Sequence, residues 1–222
     1  MTINASQWYS SGCGGSKARW IERGRIEIEG DGVVSKPVPE AVKKWAPDII
    51  ASAKAEKLWP SFVAGFMSTE SGGNQFAKSF CCYGLMGFLP ATASWVAGRK
   101  ITPDDLLYNP KLNIQLGAKL IATLMDKYSN NMIKVAASYN AGSVKCGAPK
   151  KCPDAPNRWN VVSDCAQGKA VDYPGRIIAY TNGAAESGLF GHSSAERLDS
   201  NLKQLAAGIA IITGVLWWRS RR

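Results

Sequence analysis

Glu70 is the residue whose type and position most strongly indicate chemistry. It ends a predicted helix with an apolar stretch, Phe62–Met67, and is followed by Ser71-Gly72-Gly73, where absent side chains let another molecule approach the backbone. No Asp or Glu occurs between Ser71 and Pro103. A carboxyl group desolvated by apolar neighbours has a raised pKa and can act as a general acid near neutral pH. Position alone would instead favour an ordinary solvated glutamate at a helix end.

The residues around Glu70 form an ordered series of four motifs. These are Glu70-Ser71-Gly72-Gly73, then Gly84-Leu85-Met86 leading into Leu89-Pro90, then Asn109-Pro110 with Asn113-Ile114, and finally Ala137-Ser138-Tyr139-Asn140-Ala141-Gly142. In this order they resemble the lytic transglycosylase domain of the soluble lytic transglycosylase and goose-type lysozyme superfamily. The resemblance covers roughly residues 40–183. It implies a mainly α fold of the α+β lysozyme-like superfamily.

The resemblance also implies an activity and its first site residues. It makes Glu70 the single catalytic residue, acting as acid and then as base. Ser71 and Ser79 fall on positions that line or support the sugar site. The implied reaction cuts the β-1,4 bond between N-acetylmuramic acid and N-acetylglucosamine of peptidoglycan glycan strands, with formation of 1,6-anhydro-N-acetylmuramic acid.

Four further site residues follow from the same resemblance. Met86 is expected to pack against the saccharide. Tyr139 is expected to reach the glutamate or the substrate through its hydroxyl, and Asn140 to anchor the same wall of the cleft. Tyr173 resembles a late tyrosine that some members place near the site. Considered without the resemblance, Tyr139 would be an ordinary aromatic at the core edge and Met86 an ordinary core residue.

Two departures from the family pattern concern the glycan-binding residues. Gly87-Phe88 stands where the family has glutamine after Gly-Leu-Met, so the polar contact of that glutamine is missing or supplied elsewhere. Cys81-Cys82 replaces the usual small residues, and the interval from Glu70 to Gly84 is one residue short. Neither departure removes the acid.

Two competing functions remain open at this point. Glycosidases that use water normally need two carboxylates, so a muramidase of the same fold would have to activate water with Asp104 or Asp105. Both follow Pro103 at a predicted helix start, where acidic residues are ordinary caps, and one-carboxylate chemistry fits better. The other alternative is a membrane-attached structural component of a virion or secretion apparatus with little activity.

The six cysteines and the single histidine argue against a metal site. No Cys-x-x-Cys occurs and His192 lies away from every cysteine, so neither zinc nor another cofactor is expected. The even cysteine count favours an oxidising compartment. Cys146 and Cys152 bracket a short loop and are the first candidates for a disulfide, with Cys165 close behind. For Cys81-Cys82, free buried thiols are an equal alternative.

Composition describes a basic globular protein. The chain has 222 residues, 45% of them hydrophobic and 20% charged, which suits one domain of about 150 residues plus appendages. The formal net charge of +10 favours an anionic partner. Nucleic-acid binding is a weak alternative because the sequence has no dense basic run. Attraction to the anionic cell wall accounts for the charge equally well, and no specific nucleic-acid partner is predicted.

The periodicity of apolar residues divides the chain into four parts. We predict an N-terminal extension in residues 1–38, a catalytic domain in 39–184, a linker in 185–204 and an apolar C-terminal segment in 205–222. Within the extension, Ile26–Glu29 is the one predicted strand. Helices are predicted from Pro39 to about Glu56, from Pro60 to Glu70, from Pro90 to about Gly98, from Asn109-Pro110 to Tyr128, from Met132 to Tyr139 and from Pro174 to about Gly183.

The apolar C-terminal segment favours attachment to a membrane. Leu205–Trp218 lies between Lys203 and terminal arginines, and its length of about 21 Å as a helix is short of the ~30 Å hydrocarbon core. A buried helix docked on the core is the alternative. The first twenty residues lack a signal-peptide pattern. We therefore expect a bacteriophage product for entry or lysis, located in the virion or in the host cell envelope or periplasm.

Overall fold

The computed structural model describes residues 18–21, 24–28, 33–142 and 173–190, and these form a mainly helical domain. The predicted mainly α fold class is therefore confirmed. The elements are β1 (Ala18–Ile21), β2 (Arg25–Ile28), α1 (Glu40–Lys43), α2 (Ala46–Ala55), α3 (Pro60–Glu70), α4 (Pro90–Ala97), α5 (Pro103–Tyr108), α6 (Pro110–Lys127), α7 (Met132–Ala141) and α8 (Tyr173–Glu186).

Helix α3 is the centre of the core, and α8 packs along it. Every residue of α3 from Pro60 to Ser68 is buried, as expected for a helix that is apolar on all sides. A Cβ atom on Gly65 would lie 2.8 Å from the carbonyl oxygen of Ile177 in α8, so the glycine allows the two backbones to approach closely. The end of α3 consequently lies beside the start of α8.

The predicted helix from Pro39 to Glu56 is wrong in one respect, because the structure divides it into α1 and α2. The break falls at Lys44 and Trp45, just before Pro47 in the first turn of α2. Proline has no backbone N–H and its ring clashes with the preceding turn, so the helix must restart there. The Trp45 indole then donates a hydrogen bond of 3.0 Å to the Gly73 carbonyl, which ties this corner to the segment after Glu70.

Part of the predicted N-terminal extension belongs to the domain. β1 and β2 pair antiparallel, with Trp20 opposite Ile26, and Ile26 is fully buried. The side chain of Asn182 in α8 accepts a hydrogen bond from the Ile26 N–H at 2.6 Å. It donates to the carbonyls of Ile26 at 2.9 Å and Val34 at 2.6 Å. The hairpin is therefore tied to α8, and β1 adds a strand that the sequence analysis missed.

Side-chain caps fix the first residues of helices α5 and α6. Asn109 accepts a hydrogen bond from the Leu112 N–H at 3.0 Å and caps α6, as its sequence pattern predicted. Thr102 and Asp105 form a reciprocal capping box on α5.

Several sequence predictions fall outside the described residues. They concern the pairing of Cys146 with Cys152 or Cys165, the position of His192, the linker beyond residue 190 and the segment Leu205–Trp218. In the described part of the chain, no helix is both long and apolar enough to cross a bilayer.

Replacing Asn182 with alanine should lower the free energy of unfolding by about 3 kcal/mol. The substitution leaves the backbone groups of Ile26 and Val34 buried without their partner, which costs more than the loss of an exposed hydrogen bond. Urea unfolding followed by circular dichroism measures the change. Gln115→Ala, on the exposed side of α6, is the control. Equal effects of the two substitutions would contradict the role given to Asn182.

Candidate active site

Two helix ends place the central pair of the site. Glu70 is the last residue of α3 and Tyr173 is the first residue of α8. The Tyr173 hydroxyl, which is almost fully buried, donates a hydrogen bond to Glu70 Oε1. Arg176, one turn further along α8, is exposed and lies with its guanidinium 5.7 Å from the centre of the Tyr173 ring.

The surroundings of Glu70 raise its pKa from 4.5 to about 7. Burial is the main cause, because desolvation disfavours the charged carboxylate. The hydrogen bond from Tyr173 and the positive charge of Arg176 act in the opposite direction and limit the rise. A carboxyl group with this pKa is populated in both protonation states near neutral pH, so it can give and take a proton.

A tight turn lies directly against the carboxyl of Glu70. The N–H of Gly87 donates to the Gly84 carbonyl at 3.2 Å, and both glycines have positive φ, 62° and 78° respectively. A Cβ atom on Gly87 would lie 3.0 Å from Glu70 Cδ and closer still to Oε2. Glycine at position 87 is therefore required by this conformation, since a side chain there would displace the glutamate.

Ser71 and Asn113 hold this turn in place. Ser71 Oγ donates to the Leu85 carbonyl at 2.7 Å and accepts from the Gly73 N–H at 3.1 Å. Asn113, fully buried in α6, accepts from the Met86 N–H at 2.8 Å. Ser71 thus braces the turn rather than exposing its hydroxyl to a sugar. Asn113 is a supporting residue to which the sequence analysis gave no role, although its place on the buried face of α6 was visible in the sequence.

Tyr139 contacts the same turn through the backbone of Met86. The Tyr139 hydroxyl donates to the Met86 carbonyl at 2.8 Å, and its ring lies 4.7 Å from that of Phe66, measured between centroids. Burial and, secondarily, the charge of Glu70 raise the pKa of Tyr139, so the hydroxyl stays protonated as a donor. The expected hydrogen bond from Tyr139 to the glutamate is therefore replaced in this structure by one to the backbone.

The Met86 side chain, which is predicted to contact a saccharide, lies in the core. Met86 is fully buried, and a Cβ atom on Gly117 of α6 would lie 2.7 Å from its Cε. The side chain fills the core beneath the turn, so only the backbone of Met86 takes part in the site.

Asn140 and Ser79 occupy different settings. Asn140 Oδ1 is buried and has no hydrogen-bond partner among the described residues, which leaves an acceptor available beside Tyr139. Ser79 lies on an exposed turn, where its Oγ accepts from the Cys82 N–H at 3.1 Å. Asn140 thus follows Tyr139 in α7 with a buried acceptor, and Ser79 lies in the exposed turn before Cys81.

Of the two alternative carboxylates, Asp104 and Asp105, Asp105 caps helix α5. Asp105 Oδ2 accepts hydrogen bonds from the N–H and the hydroxyl of Thr102, both at 2.8 Å, and these bonds lower its pKa. Within the described ranges no group of three His, Cys, Asp or Glu residues could hold a metal ion.

Comparison with known proteins gives this geometry a family. Residues 48–162 match the family described as "Transglycosylase SLT domain", a span of just over half of the chain. The chain belongs to this family. Its predicted relationship to the soluble lytic transglycosylases is therefore confirmed.

Relatives of this family occur in bacteria and in phages. Membrane-bound lytic murein transglycosylase C of Actinobacillus pleuropneumoniae serotype 5b is 30% identical in an alignment of 128 residues that covers 50% of this chain and 34% of that protein. The transglycosylase of Enterobacteria phage PRD1 is 29% identical over 172 residues, 77% of this chain and 51% of that protein. The chain therefore spans about half or less of these relatives.

Solved structures of lytic transglycosylases are also among the matches. An inactive mutant of lytic transglycosylase Slt from Pseudomonas aeruginosa is 21% identical, with a TM-score of 0.47. The alignment covers 64% of this chain and 23% of that one.

Replacing Glu70 with glutamine should stabilise the protein at about pH 8 and change little at about pH 4. The raised pKa of Glu70 means that its contribution is fully present below the unfolded-state value of 4.5 and is lost as pH rises through about 7. The glutamine does not ionise, so the variant should gain up to about 3 kcal/mol above pH 7. Thermal unfolding at both pH values measures the gain. Glu56→Gln reports the effect of the same chemical change away from the site, and a gain independent of pH at position 70 would refute the raised pKa.

Replacing Gly87 with alanine should destabilise the protein by about 2 kcal/mol more than Gly98→Ala. Both glycines have a similar positive φ, 62° and 67°, but a Cβ atom on Gly98 meets nothing within 4 Å. The extra cost measures the clash with Glu70. Denaturant unfolding of both variants, and of Gly87→Ala combined with Glu70→Ala, checks this, because removing the glutamate should recover most of the difference. The contact is disproved if the combined substitutions are simply additive.

Proposed function

We propose that this chain is a peptidoglycan lytic transglycosylase in which Glu70 is the single catalytic acid and base. The observation that carries the proposal is the position of the Glu70 carboxyl between the Tyr173 hydroxyl and the Gly84–Gly87 turn, where burial brings its pKa to about 7. Membership of the transglycosylase SLT domain family supports the substrate class.

The reaction begins with Glu70 protonated. It gives its proton to the oxygen that links N-acetylmuramic acid to N-acetylglucosamine, and the departing sugar leaves an oxocarbenium-like centre at C1, aided by the substrate's own N-acetyl group. The resulting carboxylate then takes the proton of the muramic C6 hydroxyl as that oxygen bonds to C1. The product is the 1,6-anhydro sugar, no water is consumed, and Glu70 is again protonated.

Neighbouring groups divide the supporting tasks. The Tyr173 hydroxyl stabilises the carboxylate formed after the first proton transfer, and Arg176 adds positive charge to the same state. Ser71 and Tyr139 fix the turn that faces the carboxyl. The unpaired oxygen of Asn140 is the candidate acceptor for an N–H or O–H group of the glycan. Ser79, on the adjoining turn, is proposed to contact more distant sugar units.

The one-carboxylate mechanism has specific support from the electrostatics. Among the described residues, Tyr173 and Arg176 are the groups that shift the pKa of Glu70, and neither is a carboxylate. Asp105 is already occupied by the cap of α5. Asp104, the second alternative, is exposed on the same helix, so a hydrolytic muramidase would have to activate water with it. Neither aspartate is among the groups that shift the pKa of Glu70, which favours the transglycosylase.

The biological setting is proposed from the relatives and the sequence. The transglycosylase of phage PRD1 aligns with 77% of this chain, which supports a role in bacteriophage entry or lysis. In that setting the segment Leu205–Trp218 would attach the enzyme to a membrane. A structural component of a virion or secretion apparatus remains the alternative, and it predicts no clearing of purified cell walls.

Digestion of purified peptidoglycan should release 1,6-anhydromuramic products, identified by mass spectrometry. The rate at low substrate concentration should fall as pH rises through about 7, because only the protonated carboxyl starts the reaction. Glu70→Gln should lose activity by a factor of at least about a hundred, whereas Asp104→Asn, which alters an exposed carboxylate of α5, should retain it. Hydrated reducing ends in place of the anhydro sugar would rule out transglycosylation.

A further inference from the structure

An adjacent pair of thiols lies beside the site and takes no part in the reaction proposed above. Cys81 and Cys82 are both free and both partly buried, and their Sγ atoms are 2.8 Å apart. The two sulfur atoms are therefore close enough to form a disulfide when an oxidant is supplied.

A short turn presents this pair to solvent. The Ser79 N–H donates to the Cys82 carbonyl at 2.9 Å, and Ser79 Oγ accepts from the N–H groups of Cys82 at 3.1 Å and Cys81 at 3.4 Å. Phe80, at the tip of this turn, is 92% exposed. A small soluble reagent can therefore reach the turn, while the hydrogen bonds keep the two thiols together.

The same backbone connects the thiols to the catalytic carboxyl. Tyr83, next to Cys82, pairs with Phe88 through two hydrogen bonds of 2.9 and 3.1 Å between their N–H and carbonyl groups. Phe88 follows Gly87, the residue that contacts Glu70. Burial raises the pKa of the Cys82 thiol to about 12, with smaller contributions from Cys81 and from the charge of Glu70. A displacement of the turn that carries Cys81 and Cys82 would thus be transmitted through Tyr83 and Phe88 to Gly87, next to Glu70.

A disulfide between adjacent cysteines would be strained. Neighbouring Cα atoms across a trans peptide are about 3.8 Å apart, whereas disulfides normally join Cα atoms about 4.4–6.8 Å apart. Closing the bond must therefore distort the turn and its hydrogen bonds to Ser79. Strained disulfides are readily reduced again, which is typical of regulatory rather than structural bonds.

We propose that Cys81 and Cys82 form a modification site for small-molecule disulfides, and that their closure to a disulfide displaces the Gly84–Gly87 turn from Glu70. The site takes oxidised glutathione or a disulfide of similar chemistry as its oxidant. The chemistry of the thiols is independent of the proposed function, and only its effect on catalysis rests on it.

The reaction proceeds by two exchange steps. The Cys81 thiolate attacks one sulfur of oxidised glutathione, forms a mixed disulfide and releases one glutathione thiolate. Cys82 then loses its proton and attacks Cys81 Sγ, which releases the second glutathione. Two electrons pass from the protein thiols to the reagent, and the two protein protons end on the two glutathione molecules. The 2.8 Å separation of the two sulfur atoms places the mixed disulfide on Cys81 within reach of the Cys82 thiolate in the second step.

Peptide mass spectrometry tests the chemistry directly. Tryptic cleavage after Lys78 and Arg99 yields a peptide that contains Cys81 and Cys82 and no other cysteine. After treatment of the full chain with oxidised glutathione and alkylation of remaining thiols, we expect this peptide to lack two hydrogens and to carry no label. Incubation with dithiothreitol should restore two alkylated cysteines. A peptide that stays doubly alkylated, or is cross-linked to another cysteine peptide, would overturn the proposal.

Two further measurements test the connection to Glu70. Oxidation should lower the rate of peptidoglycan cleavage about tenfold or more, reversibly, because small displacements of catalytic groups are costly. The double variant Cys81→Ser/Cys82→Ser should be insensitive to the same treatment. Oxidation should also shrink the pH-dependent stability difference between the wild type and Glu70→Gln, a readout that needs no activity. If the disulfide forms but neither quantity changes, the switch is refuted; if the chain cleaves nothing in either redox state, the proposed function fails while the stability measurement still decides the switch.

Discussion

Desolvation of the Glu70 carboxyl is the constraint on which the rest of the site depends. A buried carboxylate loses its hydration, and the structure returns only part of that loss through the Tyr173 hydroxyl and the charge of Arg176. A stronger set of donors would hold the group ionised near neutral pH, while the absence of donors would raise its pKa further and make the carboxyl a weaker acid. The pKa of about 7 reflects this intermediate balance.

Holding a carboxyl in this position requires the surrounding backbone to come very close. Gly65 brings α3 against α8, and Gly87 lets the turn lie on the glutamate. The N–H and carbonyl groups of such irregular backbone lack the hydrogen bonds that a helix would supply, so buried side chains must provide them. Asn113 does this for the turn and Asn182 for the N-terminal hairpin. Asn113 therefore supports the turn beside Glu70, and Asn182 fixes the hairpin against α8.

Local signals predicted much of this fold, and contacts distant in sequence account for what they missed. Asn109 was recognisable as a cap because it bonds a backbone group three residues away. Ile26, by contrast, is buried through a partner 156 residues further on. Glu70 was identifiable from its apolar helix and its motif. The directions of the Met86 and Tyr139 side chains could not be predicted in the same way. Met86 packs against Gly117, and Tyr139 bonds the Met86 carbonyl, and both contacts form only in the folded chain.

The two oxygens of Glu70 are not equivalent, and this asymmetry gives the departure at Gly87 a physical meaning. Oε1 accepts the hydrogen bond of Tyr173, so in the acid form the proton is carried by Oε2, which can donate. Oε2 is the oxygen that faces Gly87. A side chain at that position would clash with this oxygen, whereas glycine lets the backbone of the turn lie against it. Tyr139 supports the same asymmetry by bonding the Met86 carbonyl instead of competing for the glutamate.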